Sequence, residues 1–124
     1  MENVLVIVLA IIFYLLLKSI MPVIGVRRKN PSELRGHLKD KDKQFIDVRS
    51  PEAYKQNHIH GFENIPLSEL SSSIEKLERS NEIVLISDSK RQMKKASAKM
   101  KRRGFRYVTT VQGGLQSWNE GENK

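Results

Sequence analysis

The run VLVIVLAIIFYLLL, Val4 to Leu17, holds no charged side chain, and KSIMPVIGV carries its apolar character on to Val26 with only Lys18 and Ser19 interrupting. From Val4 to Ile24 there are 21 residues, and a helix of that length, at ~1.5 Å per residue, matches a hydrocarbon core of about 30 Å. A cleaved secretory signal needs a basic leading region and a small-residue cleavage pattern. Met1-Glu2-Asn3 supplies no base, no A-x-A pattern follows, and a lipoprotein signal would need a cysteine that the chain lacks. The expectation is an uncleaved single-span anchor over residues 1–26, with Lys18 snorkelling to the headgroups. Glu2 precedes the span, whereas Lys18, Arg27, Arg28 and Lys29 stand at or after its end. Positive flanks stay on the cytoplasmic side, so the N-terminus is expected outside and the remaining domain in the cytoplasm, at the cell membrane.

The 98 residues from Arg27 to Lys124 have room for one small domain. Their charge is uneven. Lys90, Arg91, Lys94, Lys95, Lys99, Lys101, Arg102, Arg103 and Arg106 form a block of nine bases without one acid, and the rest of the chain then carries −1 of the net +8. With no cysteine and three scattered histidines, thiol nucleophiles, disulfides and zinc-site spacing are excluded, and no cofactor or metal is expected.

Residues 27–30 read as a basic linker and residues 31–124 as the domain. Asn30, Pro31 and Glu33 signal a helix from Pro31 to about Leu38. QFIDV, Gln44 to Val48, reads as a strand, and Ser50-Pro51 opens a short helix ending near Asn57. Ser68 is expected to cap a helix with Leu70, Ile74 and Leu77 inward, ending around Arg79. EIVLIS, Glu82 to Ser87, has the composition of a buried central strand. A helix from about Arg91 to Arg103 follows, its inner stripe Met93, Ala96, Ser97 and Met100, with Gly104 at its end. YVTTV, Tyr107 to Val111, is a further strand, QGG a turn, and LQSWNEG a last helix. Alternating strands and helices predict an α/β domain, a parallel sheet with helices on both faces. Sites in such sheets lie beyond the carboxyl ends of the strands, which singles out the loop Ser87 to Gln92.

FIDVRSPEAYKQNHIHGFENIP closely resembles the rhodanese signature. Asp47, Val48, Arg49, Glu52, His58, Ile59, Gly61, Asn64, Ile65 and Pro66 match it, and Phe62 stands where alanine is usual. GFRYVTTVQGGLQSW is similar to the family's closing segment through Gly104, Phe105, Gly113, Gly114 and Trp118, so the resemblance covers about Pro31 to Glu120. It implies a rhodanese-like fold, and in sulfurtransferases of that family a nucleophilic cysteine opens the loop after the central strand, in a pattern like Cys-x-x-Gly-x-Arg-Ser. Counting back from Gly104 puts Ser87 at that cysteine, Lys90 at the glycine, Gln92 at the arginine and Met93 at the serine. A hydroxyl cannot form the persulfide that sulfur transfer requires, and its proton is far harder to remove than that of a thiol. No sulfurtransferase activity and no catalytic residue are expected.

Ser87, Asp88, Ser89, Lys90, Arg91 and Gln92 are therefore read as a degenerate active-site loop. Residual anion binding would use its backbone N–H groups and the following helix N-terminus; Lys90 in place of glycine and the charge of Asp88 work against it. Asp47, Arg49, Glu52, His58, Gly61, Asn64, Pro66, Gly113, Gly114 and Trp118 are read as structural, with Arg49 paired to Glu52 and Trp118 in the core. A Ser87, His58 and Asp47 triad lacks any nucleophile-elbow pattern. For Lys94, Lys95, Lys99, Lys101, Arg102 and Arg103, a solvated face and attraction to anionic lipid both stay open, while nucleic acid is not expected because no aromatic residues interleave. The expected function is a membrane-anchored, catalytically inactive rhodanese-like domain, a binding or scaffold module that binds a protein partner or the cytoplasmic membrane surface. The alternative is an oxyanion- or phosphate-binding enzyme using loop 87–92.

Overall fold

A computed structural model describes residues 1–20 and 25–122. The end of the expected span, Met21 to Ile24, and the last two residues of the expected domain, Asn123 and Lys124, lie outside the described residues. Helix α1 runs from Glu2 to Ile20, and none of its residues is buried. It is long and apolar enough to cross a membrane.

The rest is an α/β fold. Its strands are β1 (Val26–Lys29), β2 (Lys43–Asp47), β3 (Glu63–Asn64), β4 (Glu82–Ile86) and β5 (Tyr107–Val111). They form one sheet in the order β1-β5-β4-β2-β3, and every neighbouring pair is parallel. The helices are α2 (Pro31–Leu34), α3 (Pro51–Gln56), α4 (Leu70–Ser73), α5 (Lys90–Arg102) and α6 (Gly114–Glu122). Alternation along the strands sorts the core into two layers. Phe45, Val84, Ile86 and Val111 face Leu34, Phe62, Leu115 and Trp118. Ile46, Ile83, Leu85 and Val108 face Leu70, Ile74, Ala96, Met100 and Phe105. Thus α2 and α6 cover one face and α4 and α5 the other, as the sequence pattern predicts.

Three expectations are corrected. Arg27, Arg28 and Lys29, expected in a linker, pair with Thr109, Thr110 and Val111 as an edge strand. The ladder supplies the backbone hydrogen bonds that a linker would leave to water. The helix expected from Ser68 is a series of short turns, 3₁₀ over Leu67–Glu69, α over Leu70–Ser73 and 3₁₀ over Ile74–Lys76, and Pro66 rather than Ser68 precedes it. Three consecutive serines favour side-chain to backbone bonds over a continuous helix, and Ser72 Oγ does donate to Glu69 O. The helix expected from Pro31 to Leu38 is α-helical only to Leu34 and tightens into a 3₁₀ turn over Arg35–His37.

Candidate functional site

The carboxyl ends of β2, β4 and β5 converge. At the end of β2, Asp47 is fully buried and Arg49 is 4% exposed. Arg49 Nε donates to both carboxylate oxygens of Asp47 at 3.1 Å, and Nη2 donates to Oδ2 at 2.9 Å. Nη2 also donates to the carbonyl of Asn57, which ties the end of α3 back to the sheet. The expected pairing of Arg49 with Glu52 is not formed; Glu52 lies exposed on the first turn of α3. A carboxylate two residues back along the chain closes the fork geometry with little further ordering of the backbone.

Asn64 Nδ2 donates to the carbonyls of Asp47 and Arg49, both at 3.0 Å. Ile65 N and Leu67 N donate to Asp47 O and Val48 O. The two halves of the first motif are thereby joined at the edge of the sheet. Ser50 caps α3 by accepting from Ala53 N, with Pro51 at the first helical position. Tyr54 Oη donates to Phe62 O, and burial, with the charges of Asp47 and Glu63, pushes its phenol up in pKa and keeps the proton in place. His58 is exposed; its ring stacks on Tyr54 at 4.0 Å, and its Nδ1 lies 2.8 Å from Tyr54 O. Gly61 has φ +102°, and Pro66 is buried.

Beyond β4, Ser87 is fully buried. Its hydroxyl makes a short hydrogen bond to Gln92 Oε1 and accepts from Ser89 N at 3.2 Å. Ser89 Oγ in turn accepts from Gln92 N at 3.2 Å and caps α5. The connection is accordingly shorter than expected. Only Ser87, Asp88 and Ser89 lie between the elements, while Lys90, Arg91 and Gln92 form the first turn of α5. Asp88, Lys90 and Arg91 are exposed.

From the other side, Gly113 and Gly114, with φ of +78° and +62°, carry the chain from β5 into α6. Leu115 N donates to Ser87 O at 3.0 Å. A Cβ on Gly114 would collide with that same carbonyl, so the approach of the two loops requires glycine. Trp118 is fully buried and meets Phe62 edge-on at 5.4 Å; Phe62, in the place where alanine is usual, also meets Phe45 at 5.3 Å. Arg35 lies over the Trp118 ring at 5.3 Å and donates to its carbonyl.

One polar cluster escaped the sequence reading. Glu82 heads β4 and accepts from Lys29 Nζ at 2.8 Å and Thr109 Oγ1 at 2.7 Å, with Lys43 Nζ at 3.2 Å. Burial alone would raise its pKa; hydrogen bonds from Lys29, Thr109 and Lys43 outweigh it and hold the carboxyl at about 2. The signal was an acid opening an otherwise apolar strand.

The family model described as "Rhodanese-like domain" matches residues 30–121. The Bacillus subtilis "Putative sulfur carrier protein YrkF" is 35% identical over 79 residues, covering 64% of this chain and 43% of that protein, so the chain spans less than half of that relative. The thiosulfate sulfurtransferase GlpE of Pseudomonas fluorescens is 24% identical over 91 residues, covering 73% of this chain and 84% of that one. Among solved structures, a rhodanese-related protein of Thermoplasma volcanium superposes with a TM-score of 0.67 at 29% identity, covering 77% of this chain and 92% of that one. The human single-domain sulfurtransferase TSTD1 does so with a TM-score of 0.70 at 24% identity, covering 77% and 97%. With a family match across most of its length, two joined motif blocks and the parallel sheet they predict, the chain belongs to the rhodanese-like domain family.

Proposed function

We propose that this protein is a membrane-anchored rhodanese-like domain that has given up sulfur transfer and acts as a binding module at the cytoplasmic face of the cell membrane. The observation that carries this reading is the state of the residue after β4. The hydroxyl of Ser87, which in this reading takes the position of the family's nucleophilic cysteine, is buried and spent on Gln92. Oxygen cannot hold a transferable sulfane sulfur, and no other residue supplies a thiol, because the chain has no cysteine. Two of the backbone N–H groups that an anion cradle would use, those of Ser89 and Gln92, donate instead to Ser87 Oγ and Ser89 Oγ. That arrangement favours a binding module over an oxyanion-handling enzyme. Helix α1 is the membrane anchor in this reading, and a protein partner on the cytoplasmic side is its expected counterpart.

The test is a thiosulfate-to-cyanide sulfur-transfer assay on the full chain in detergent micelles. Thiocyanate formation equal to that of a heat-inactivated control is expected; turnover above it would overturn the proposal.

A further inference from the structure

The chain's largest block of like charge centres on α5, whose buried stripe of Met93, Ala96, Ser97 and Met100 fixes the opposite side outward. At 3.6 residues per turn, Arg91, Lys94, Lys95, Ala98, Lys101 and Arg102 fall within about 120° of arc on one flank. Two contacts show what that flank faces. Lys94 Nζ donates to the carbonyl of Ser19, in the last turn of α1, at 2.7 Å. The side chain of Lys101 runs so close to Gly25 that an added Cβ there would lie 2.9 Å from Lys101 Cε. Strand β1 extends the same surface. Val26 packs against the core layer beneath α5, so alternation turns Arg28 to that side, where it is exposed.

We propose that this flank docks on the anionic phospholipid headgroups around the anchor and holds the domain against the membrane in one orientation. The proposal rests on reading α1 as a membrane span and does not depend on whether the domain transfers sulfur. The segment Lys90 to Arg106 contains no acid to repel a negative surface. Bases beside an anionic leaflet are attracted over a Debye length of ~10 Å, and the Lys94 to Ser19 contact brings the flank to the point where the chain leaves α1. The anchor also turns a weak bimolecular attraction into an intramolecular one. A nucleic acid has no such tether, and the flank carries no aromatic side chain on which bases would stack.

The absence of native cysteine permits a direct test on the full chain. Ala98→Cys places a fluorescent label in the centre of the flank, and Gln116→Cys places one on α6, across the sheet. Each variant is reconstituted in phosphatidylcholine vesicles, with or without ~30% phosphatidylglycerol, plus a headgroup spin-labelled lipid as quencher. Quenching at position 98 is expected to rise about twofold with the anionic lipid and to fall back when Lys94, Lys95 and Arg102 are all changed to Glu or when salt reaches ~1 M. Quenching at position 116 should stay low throughout. Equal quenching at 98 in both lipids would overturn the proposal, as would stronger quenching at 116. A label at 98 that ignores anionic lipid but responds to added double-stranded DNA would overturn it in favour of nucleic acid. Protein that fails to stay with the vesicles would remove both the anchor and the docking surface, whereas thiocyanate production would leave this experiment untouched.

Discussion

Residue by residue, the proposed loss of sulfur transfer rests on more than the serine at position 87. Ser87 is held by Gln92 and Ser89, and Asp88 puts a negative charge beside the place where a thiolate would form. A thiolate buried next to a carboxylate is disfavoured both by desolvation and by like charge. Restoring the nucleophile alone should therefore do little. Ser87→Cys is expected to leave thiosulfate-to-cyanide transfer within about tenfold of background, under ~1.4 kcal/mol of barrier. The new thiol should also react slowly with a bulky maleimide until the chain is unfolded, because the serine it replaces is fully buried. Robust turnover by this single variant would mean that the loop opens and that the Gln92 contact is incidental. Asp47 and Arg49 teach the complementary lesson. They have the residue types of catalytic groups, yet each satisfies the other inside the protein, and Arg49 spends remaining donor capacity on the carbonyl of Asn57. Removing one partner would strand a buried charge, and the pair is best understood as the fastener of the first motif.

At the scale of elements, Glu82 joins three strands through side chains. Lys29 comes from β1, Lys43 from β2 and Thr109 from β5. Its carboxyl lies at about 2, below the ordinary glutamate value of 4.5. A depressed carboxyl contributes stability that is fully present above the unfolded value and is lost as the pH falls through the folded one. Glu82→Gln should thus cost about 1.5 kcal/mol at pH 7, the lower end for hydrogen bonds to a charged group, since both lysines keep some contact with water. The gap between parent and variant should narrow as the pH falls from about 4.5 toward 2. Urea unfolding of both proteins at pH 7, 5 and 3.5 reads this directly, and a gap independent of pH would show that the carboxylate's charge does not stabilise the sheet. The same strands show what sequence can and cannot convey. EIVLI and YVTTV are legible because inner parallel strands are covered on both sides and read as apolar, β-branched runs. VRRK offers one apolar residue, and it becomes a strand only because the edge of β5 accepts it, an interaction with a segment some eighty residues away. The place of Ser87 at the end of the central strand was legible from the apolar run before it. Its bond to Gln92 was not, because that bond depends on α5 starting at Lys90 under a Ser89 cap, whereas the sequence pattern put the start at about Arg91.

For the chain taken together, the strand at Val26–Lys29 changes how close the domain sits to α1, the proposed anchor. Residues expected to form a linker belong to the sheet, so only the chain between Ile20 and Val26 separates α1 from the fold. Six residue steps reach no farther than ~22 Å even fully extended. On the proposed reading of α1 as a span, Arg27, Arg28 and Lys29 lie within the stretch of flanking sequence whose positive charge sets orientation, and Glu2 lies at the opposite end of α1. The orientation expected on that reading puts residue 3 outside and the sheet inside. Because the chain lacks cysteine, one introduced thiol at a time reports it. Asn3→Cys should react with a membrane-impermeant maleimide on intact cells, whereas Ser50→Cys, at an exposed position beside α3, should react only after the membrane is permeabilised. The reverse pattern would place the basic flank of α5 on the outer leaflet and remove the cytoplasmic role, since the attraction of Arg28, Lys94 and Lys95 for anionic headgroups then acts on the wrong side of the bilayer.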